Sequence, residues 1–328
     1  MVPDRAWKRS ITDVSGVHVG HVTLAEGEVQ TGVTAVLPYP PSVRHRKLFL
    51  GGAADGGGNA WTGVHVAQDF GTFSSPIVLC NATAVGLAYD ALITRGHRRD
   101  PELPVDDAWP PIVLGLDDGY LNDLRRRRTT HDDVLRAVTQ AEGAPAPCGS
   151  VGIGRGLCAL GGKGGVGDIA LEVKVSGAAY LLGALVAANG GALPGGGLPE
   201  ARAAAPGMVV VLATDAPLFP GQLRELSEAA LRGLFAAAPA SGAEARVALS
   251  FSTANPIDNS MEKGVRLFSA RRLGEAGLGV LLDSAGVVAR AALRRALAEA
   301  AAVKGRKERT VAPLGPEVVA RLGDGPPA

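Results

Sequence analysis

Four stretches of this chain carry side chains that could do chemistry. Asp117-Asp118-Gly119-Tyr120-Leu121-Asn122-Asp123 follows the apolar run Ile112 to Leu116, and Asx turns there would present Tyr120 at a strand's end. Lys163 is a single lysine among the glycines of Gly149 to Gly167. With so little side-chain cover it either points at an anion or carbonyl, or stands in water at a hairpin tip. Asn189 closes the apolar stretch that begins at Tyr180 and precedes Gly190-Gly191; an amide so placed can donate to a reacting oxygen. The fourth stretch, Ser241 to Asn255, joins a small-residue segment (Ala236 to Ala243), the charged pair Glu244 and Arg246, and an apolar run ending in Phe251-Ser252-Thr253-Ala254-Asn255. A loop of Gly, Ala, Pro and Ser feeding a buried strand exposes backbone to chemistry, although the same residues also build an ordinary loop-to-strand junction.

Other clusters read as bland. His18 and His21 with Asp13 have the wrong spacing for one face of a strand, so they are read as solvated turn histidines and no metal is expected. The glycine-rich Gly51 to Gly63 is not closed by Gly-Lys-Ser/Thr, so it is no phosphate loop; so much glycine implies backbone lying against a ligand or another chain. Arg125 to Arg128 reads as a solvated turn and not a nucleic-acid patch. Three cysteines without CxxC spacing imply neither a disulfide framework nor a zinc site.

The elements that must position these residues follow from periodicity. Strands are expected within Ile11 to Leu24, Thr31 to Leu37, Pro76 to Cys80, Ile112 to Leu116, Met208 to Ala213 and Leu278 to Leu282, with Ala170 to Val175 and Tyr180 to Ala187 paired. Helices are expected from Ala82 to Thr94, capped by Asn81 and ended by Gly96, and over Thr130 to Glu142, Pro220 to Ala238 and Ala285 to Val303. The tail 306–328 is expected to fray. Strand pairs alternating with long helices imply a layered α/β (α+β) architecture in one domain, 1–328. Of the 328 residues, 46% are hydrophobic and 20% charged, and the net charge is +1. That suits a large core and leaves no electrostatic footprint for nucleic acid or membrane. No apolar leader or spanning run is read, so the expectation is a soluble cytoplasmic protein.

Several segments together resemble the L-aminopeptidase/D-esterase and β-peptidyl aminopeptidase family, autoprocessing serine hydrolases with an N-terminal nucleophile. They are Ile11-Thr12-Asp13-Val14 with Gly16-Val17 and Val19-Gly20-His21; Thr31-Gly32-Val33-Thr34-Ala35; Asp118 to Asp123; Gly152 to Gly156 with Lys163-Gly164-Gly165-Val166-Gly167; Ala188-Asn189; Ala213 to Leu218 with Gln222-Leu223; and Phe251 to Asn255. They run in family order over nearly the whole chain. The resemblance implies an αββα sandwich assembled into homo-oligomers, and a small peptide, amide or ester as substrate without cofactor or metal. It also implies a precursor that cuts itself to free a nucleophilic N-terminal Ser or Thr. A free α-amine titrates near 7.7 to 8.0 and serves as base for its own hydroxyl. Lys163, Tyr120 and Asn189 match the positions that would stabilise the oxyanion, each worth roughly 3 kcal/mol.

The family writes Gly-Ser-Gly-Asp before the strand leading to Phe-Ser-Thr-Ala-Asn. Counted back without gaps from Phe251, those positions hold Ala243, Glu244, Ala245 and Arg246. Glu244 has no hydroxyl. Ser241, followed by Gly242, restores a Ser-Gly pair if the loop is three residues longer, and then Ala240-Ser241 is the scissile bond, giving chains 1–240 and 241–328. The family's last helix carries a hydroxyl and glutamates, where this chain has Val287 to Ala292, apolar apart from Arg290, with Asp283 and Ser284 a turn upstream. Two functions follow: an aminopeptidase with Ser241 as nucleophile, or an uncleaved, inactive family member that binds a small molecule or serves a structural oligomer.

Overall fold

The computed structural model describes residues 5–38, 46–56, 61–101, 110–193, 205, 207–240, 244–258 and 267–323. In chain order come β1 (Arg5–Lys8), the hairpin β2 (Val17–Glu26) and β3 (Val29–Pro38), β4 (Arg46–Asp55), β5 (Trp61–Thr62), α1 (Val64–Phe70), β6 (Thr72–Phe73) and β7 (Ile77–Asn81). Then follow α2 (Val85–Arg99), β8 (Ile112–Leu116), α3 (His131–Thr139), β9 (Cys158–Ala159), β10 (Gly162–Lys163), β11 (Gly165–Val175) and β12 (Ala178–Ala188). The last part holds β13 (Gly207–Thr214), α4 (Pro220–Ala237), β14 (Ala245–Asp258), α5 (Glu275–Ala298), β15 (Val303–Lys304), β16 (Thr310–Val311) and α6 (Pro316–Ala320).

Two large sheets form. One runs β1-β11-β12-β13-β14-β4-β6, the other β2-β3-β7-β8-β5. Neighbours are antiparallel except β13–β14 in the first sheet and β7–β8 in the second. Alternation along the strands builds the layers, because successive side chains point to opposite faces. On β13, Met208, Val210 and Leu212 join a core with α4 and α5, whereas Val209, Val211 and Ala213 face the second sheet. On β7, Ile77 and Leu79 enter that same inter-sheet core, whereas Val78 and Cys80 pack with α2 and α3. The order helices, sheet, sheet, helices is the αββα sandwich.

Several elements differ from expectation. Leu278 to Leu282 is no strand but lies inside the 24-residue helix α5. Its buried Leu278, Leu281, Ala285, Val288 and Ala292 recur every three or four residues, and a short apolar run cannot by periodicity alone be told from a buried helix. Among the described residues α5 is also the one helix long and apolar enough to cross a membrane, but it packs in the core. Helix α2 continues through the expected stop at Gly96 to Arg99. Gly51 and Gly52 lie in β4, and the approaching chain is the protein's own: a Cβ on Gly51 would sit 2.3 Å from the Arg224 nitrogen of α4.

His21 is not a solvated turn residue. It faces Thr34 across the β2–β3 hairpin, Nδ1 to Oγ1 3.0 Å, and burial pulls its ring down to about 4. The tail does not fray as far as Gly323. β15 and β16 pair, and Val311, Val319 and Leu322 are buried.

Candidate active site

Asn189 leaves β12 into a turn at Gly190 and Gly191, whose φ values of 92° and 74° lie in the left-handed region open to glycine. Gly190 N–H donates to the Cys158 carbonyl at 2.7 Å, and Leu160 N–H donates to the Gly190 carbonyl at 3.0 Å. The fully buried Asn189 amide ties two further segments together. Its Oδ1 accepts from Cys158 N–H at 3.3 Å and its Nδ2 donates to the Asp117 carbonyl at 3.0 Å. The other Nδ2 hydrogen has no partner among the described residues.

Asp117 begins the turn that carries Tyr120. Its Oδ1 accepts from Gly119 N–H at 2.9 Å, and the Asp118 carbonyl accepts from Leu121 and Asn122 N–H. Half-buried Tyr120 packs beside Leu121, Cys158, Val303 and Val311, with the Arg309 guanidinium 4.3 Å over its ring. Asp118 is buried beneath the turn, where it accepts from Asn81 and, at 3.0 Å, from Asn122. Burial pushes its carboxyl up to about 7, against the opposing hydrogen bonds of Thr31, Asn122 and Asn81.

Lys163 stands opposite Cys158 in the β9–β10 ribbon and is 0% exposed. Its ammonium donates to the carbonyls of Gly154, Leu157 and Gly164 at 2.7, 2.8 and 2.8 Å. An ammonium has three hydrogens, so none remains for an oxyanion in this arrangement. Of the two sequence readings, the carbonyl one describes the residue and the hairpin tip in water does not. Burial pulls Lys163 down to about 7, while three carbonyl acceptors favour its charged form. The same burial pushes the Cys158 thiol up to about 11, which leaves it protonated and unreactive.

Ser241 lies outside the described residues. The flanks of its segment meet at one place: Ala192 N–H donates to the Pro239 carbonyl at 2.9 Å, and Gly191 N–H donates to Glu244 Oε2 at 3.0 Å. Glu244 Oε1 in turn lies 3.0 Å from Arg246 Nε and 2.9 Å from Nη2. Both side chains are 0% exposed. They pair because residues two apart on an extended chain share a face. Burial draws the Arg246 guanidinium below its usual range while Glu244 opposes that, and the Phe235 ring covers it at 4.3 Å.

Tyr120, Lys163 and Asn189 thus converge around Cys158, and Gly191 links the cluster to Glu244. Other hydroxyls and a carboxylate that sequence position could have offered to a site are bonded elsewhere in the fold, Ser252 seven strand residues from the Ala245 end of β14. Ser284 donates to Val280 O, Ser252 donates to Ala216 O, and Asp168 accepts from Ser10, Ile11 N–H and Cys148. Sequence reasoning missed Arg309 over Tyr120, because a charged, Gly/Pro-rich tail carries no packing signal. It also missed the Gly191 N–H, since a main-chain donor has no signature beyond the glycine itself. Among the described residues no group of three or more His, Cys, Asp or Glu could hold a metal ion.

The chain belongs to peptidase family S58, whose model matches residues 9–311. It is 32% identical over 314 residues to the β-peptidyl aminopeptidase BapA of Sphingosinicella microcystinivorans, covering 84% of this chain and 78% of that protein. The structure of a Burkholderia sp. β-aminopeptidase superposes with a TM-score of 0.86 at 29% identity, over 98% of this chain and 94% of that one. An L-aminopeptidase D-Ala-esterase/amidase from Ochrobactrum anthropi, described as a variant of the Ntn hydrolase fold, superposes with a TM-score of 0.86 at 28% identity, over 96% and 93%.

Proposed function

We propose that the chain binds the small peptides, amides or esters that its family handles, as one uncut domain without an N-terminal nucleophile. The observation that carries this is the Glu244–Arg246 pair at the ungapped nucleophile position. A buried carboxylate held by a guanidinium and a main-chain N–H has no hydroxyl with which to attack the preceding carbonyl. The donors that would serve an oxyanion are largely engaged: Gly191 N–H on Glu244, Lys163 on three carbonyls. The spare Asn189 hydrogen and the half-buried Tyr120 remain to meet a ligand carbonyl. The test is intact mass under denaturing conditions, followed by calorimetric titration with an aminoacyl amide. One species at the full-length 33.3 kDa, with binding but no turnover, is expected. Two fragments split between Ala240 and Ser241 would overturn it.

A second reading rests on the flanks of residues 241–243. Pro239 and Glu244 are both held at the Gly191–Ala192 turn, which is where an aminopeptidase would need its nucleophile. In that reading Ser241 is freed by self-cleavage, its α-amine acts as base, and Asn189 and Tyr120 stabilise the oxyanion of an acyl transfer that water completes. Ser241→Ala would abolish both processing and activity. Assembly into a homo-oligomer is supported in either reading by the exposed Phe70, Leu267 and Phe268.

A further inference from the structure

Away from that corner a cavity of about 580 Å³ opens along β1, β11 and α5. None of Tyr120, Lys163, Asn189, Glu244 or Arg246 lines it. Its apolar surface includes Ile169, Ala291 and Val319, each buried. Around these stand four cations, Lys8, Arg9, Arg294 and Arg295, against the single carboxylate of Glu299.

Their commitments differ. Lys8 pairs with Glu172 at 2.9 Å. Arg295 is spent inside the protein, with Nε on Glu299 at 2.7 Å and Nη1 on the carbonyls of Arg9 and Asp168. Arg294 is only tethered: Nη1 donates to the Gly323 carbonyl at 2.8 Å, while its buried Nε has no partner among the described residues. A buried N–H without an acceptor is rare in a folded protein and needs a cause. A cavity of this volume lined by apolar side chains with a few polar groups has the make-up of a small-ligand site, and a guanidinium suits a carboxylate.

We infer that this cavity binds an amphipathic carboxylate, the carboxylate on Arg294 and Arg9 and the apolar body over Ile169, Ala291 and Val319. Two sources share that chemistry, a free fatty acid and the C-terminal end of an apolar peptide.

The test titrates the full chain calorimetrically with octanoate, with N-acetyl-leucyl-leucine and with the neutral octanamide. At least one carboxylate is expected to saturate at one per chain and octanamide to bind at least about tenfold more weakly, since each tenfold is one ion-assisted hydrogen bond's worth of affinity. Octanoate alone binding assigns the free acid, and the dipeptide alone binding assigns a peptide terminus. Arg294→Met is expected to weaken binding at least tenfold. Ala298→Phe fills the exposed mouth without touching charge or core, and is expected to do the same. It also decides the matter if Arg294→Met fails to fold. Failure of both carboxylates, equal binding of octanamide, or undiminished binding in either folded variant overturns the inference.

Discussion

Arg246→Met should be among the most damaging single changes in the protein. It removes the guanidinium that lies on Glu244 Oε1, in a pair whose side chains are both 0% exposed. Gly191 N–H still donates to Glu244, but breaking a buried pair by deleting one partner costs about 3 to 5 kcal/mol. Loss of the contact with the Phe235 ring adds about 1 kcal/mol. Glu244→Gln leaves the guanidinium stacked on that ring and within the field of Asp55, its register partner on β4, and should cost somewhat less. The double variant leaves neither charge, so it should be more stable than the two single losses added together by at least about 1 to 2 kcal/mol. Urea unfolding of the wild type and the three variants, at one pH and at two salt concentrations, measures all of this. The pair energy should barely respond to salt, because buried charges are weakly screened. A loss below about 1 kcal/mol in Arg246→Met, or a double variant as unstable as the sum of the singles, would refute the pairing.

Asp118 gives a pH prediction. Its folded carboxyl stands at about 7 against a usual 3.8, so the folded state keeps a proton that the unfolded state releases. Native stability therefore falls as pH rises from about 4 to about 7 and is flat beyond, by at most roughly 4 kcal/mol. Asp118→Asn should remove that slope, and a stability difference between the two proteins that stays constant over pH 4 to 7 would contradict it. Gly233→Ala should cost about 1 to 3 kcal/mol, because its Cβ would lie 2.4 Å from the Gly286 Cα where α4 meets α5. Gly279→Ala, with nothing within 4 Å of its Cβ, should instead leave stability equal or raise it by about 0.5 to 1 kcal/mol. The two melting temperatures make the comparison.

Where a long signal repeats, the sequence is a good guide. Pro220 to Ala238 is α4 to within one residue, and the Tyr180 and Ala170 runs pair as β12 and β11. The sequence also aligned Glu244 with the nucleophile position, and spacing alone puts Arg246 on the same strand face. What it could not supply is what each side chain meets across the fold. Nothing local to Lys163 announces three carbonyls, since main-chain acceptors are identical at every residue. The apolar segment around Leu278 fits strand and helix alike until its neighbours choose, and α5 is fixed by its packing on β11, β12 and α4. The tail failed for the opposite reason. Gly, Pro and charge dominate it, yet the few apolar residues Val311, Val319 and Leu322 anchor it.

β14 sits inside its sheet, bonded in parallel to β13 along Ala245 to Ser252 and antiparallel to β4 from Arg246. That placement fixes what a break in the α4–β14 connection would do to the molecule. The C-terminal piece would begin next to a strand clasped on both edges, with Val247, Leu249 and Phe251 sunk between the sheets and α5 laid across β11 and β12. The pieces would behave as a tight heterodimer in which neither half owns a complete core. Such a nick would leave hydrodynamic size and native mobility unchanged, and the two halves would part only when the sheet itself came undone.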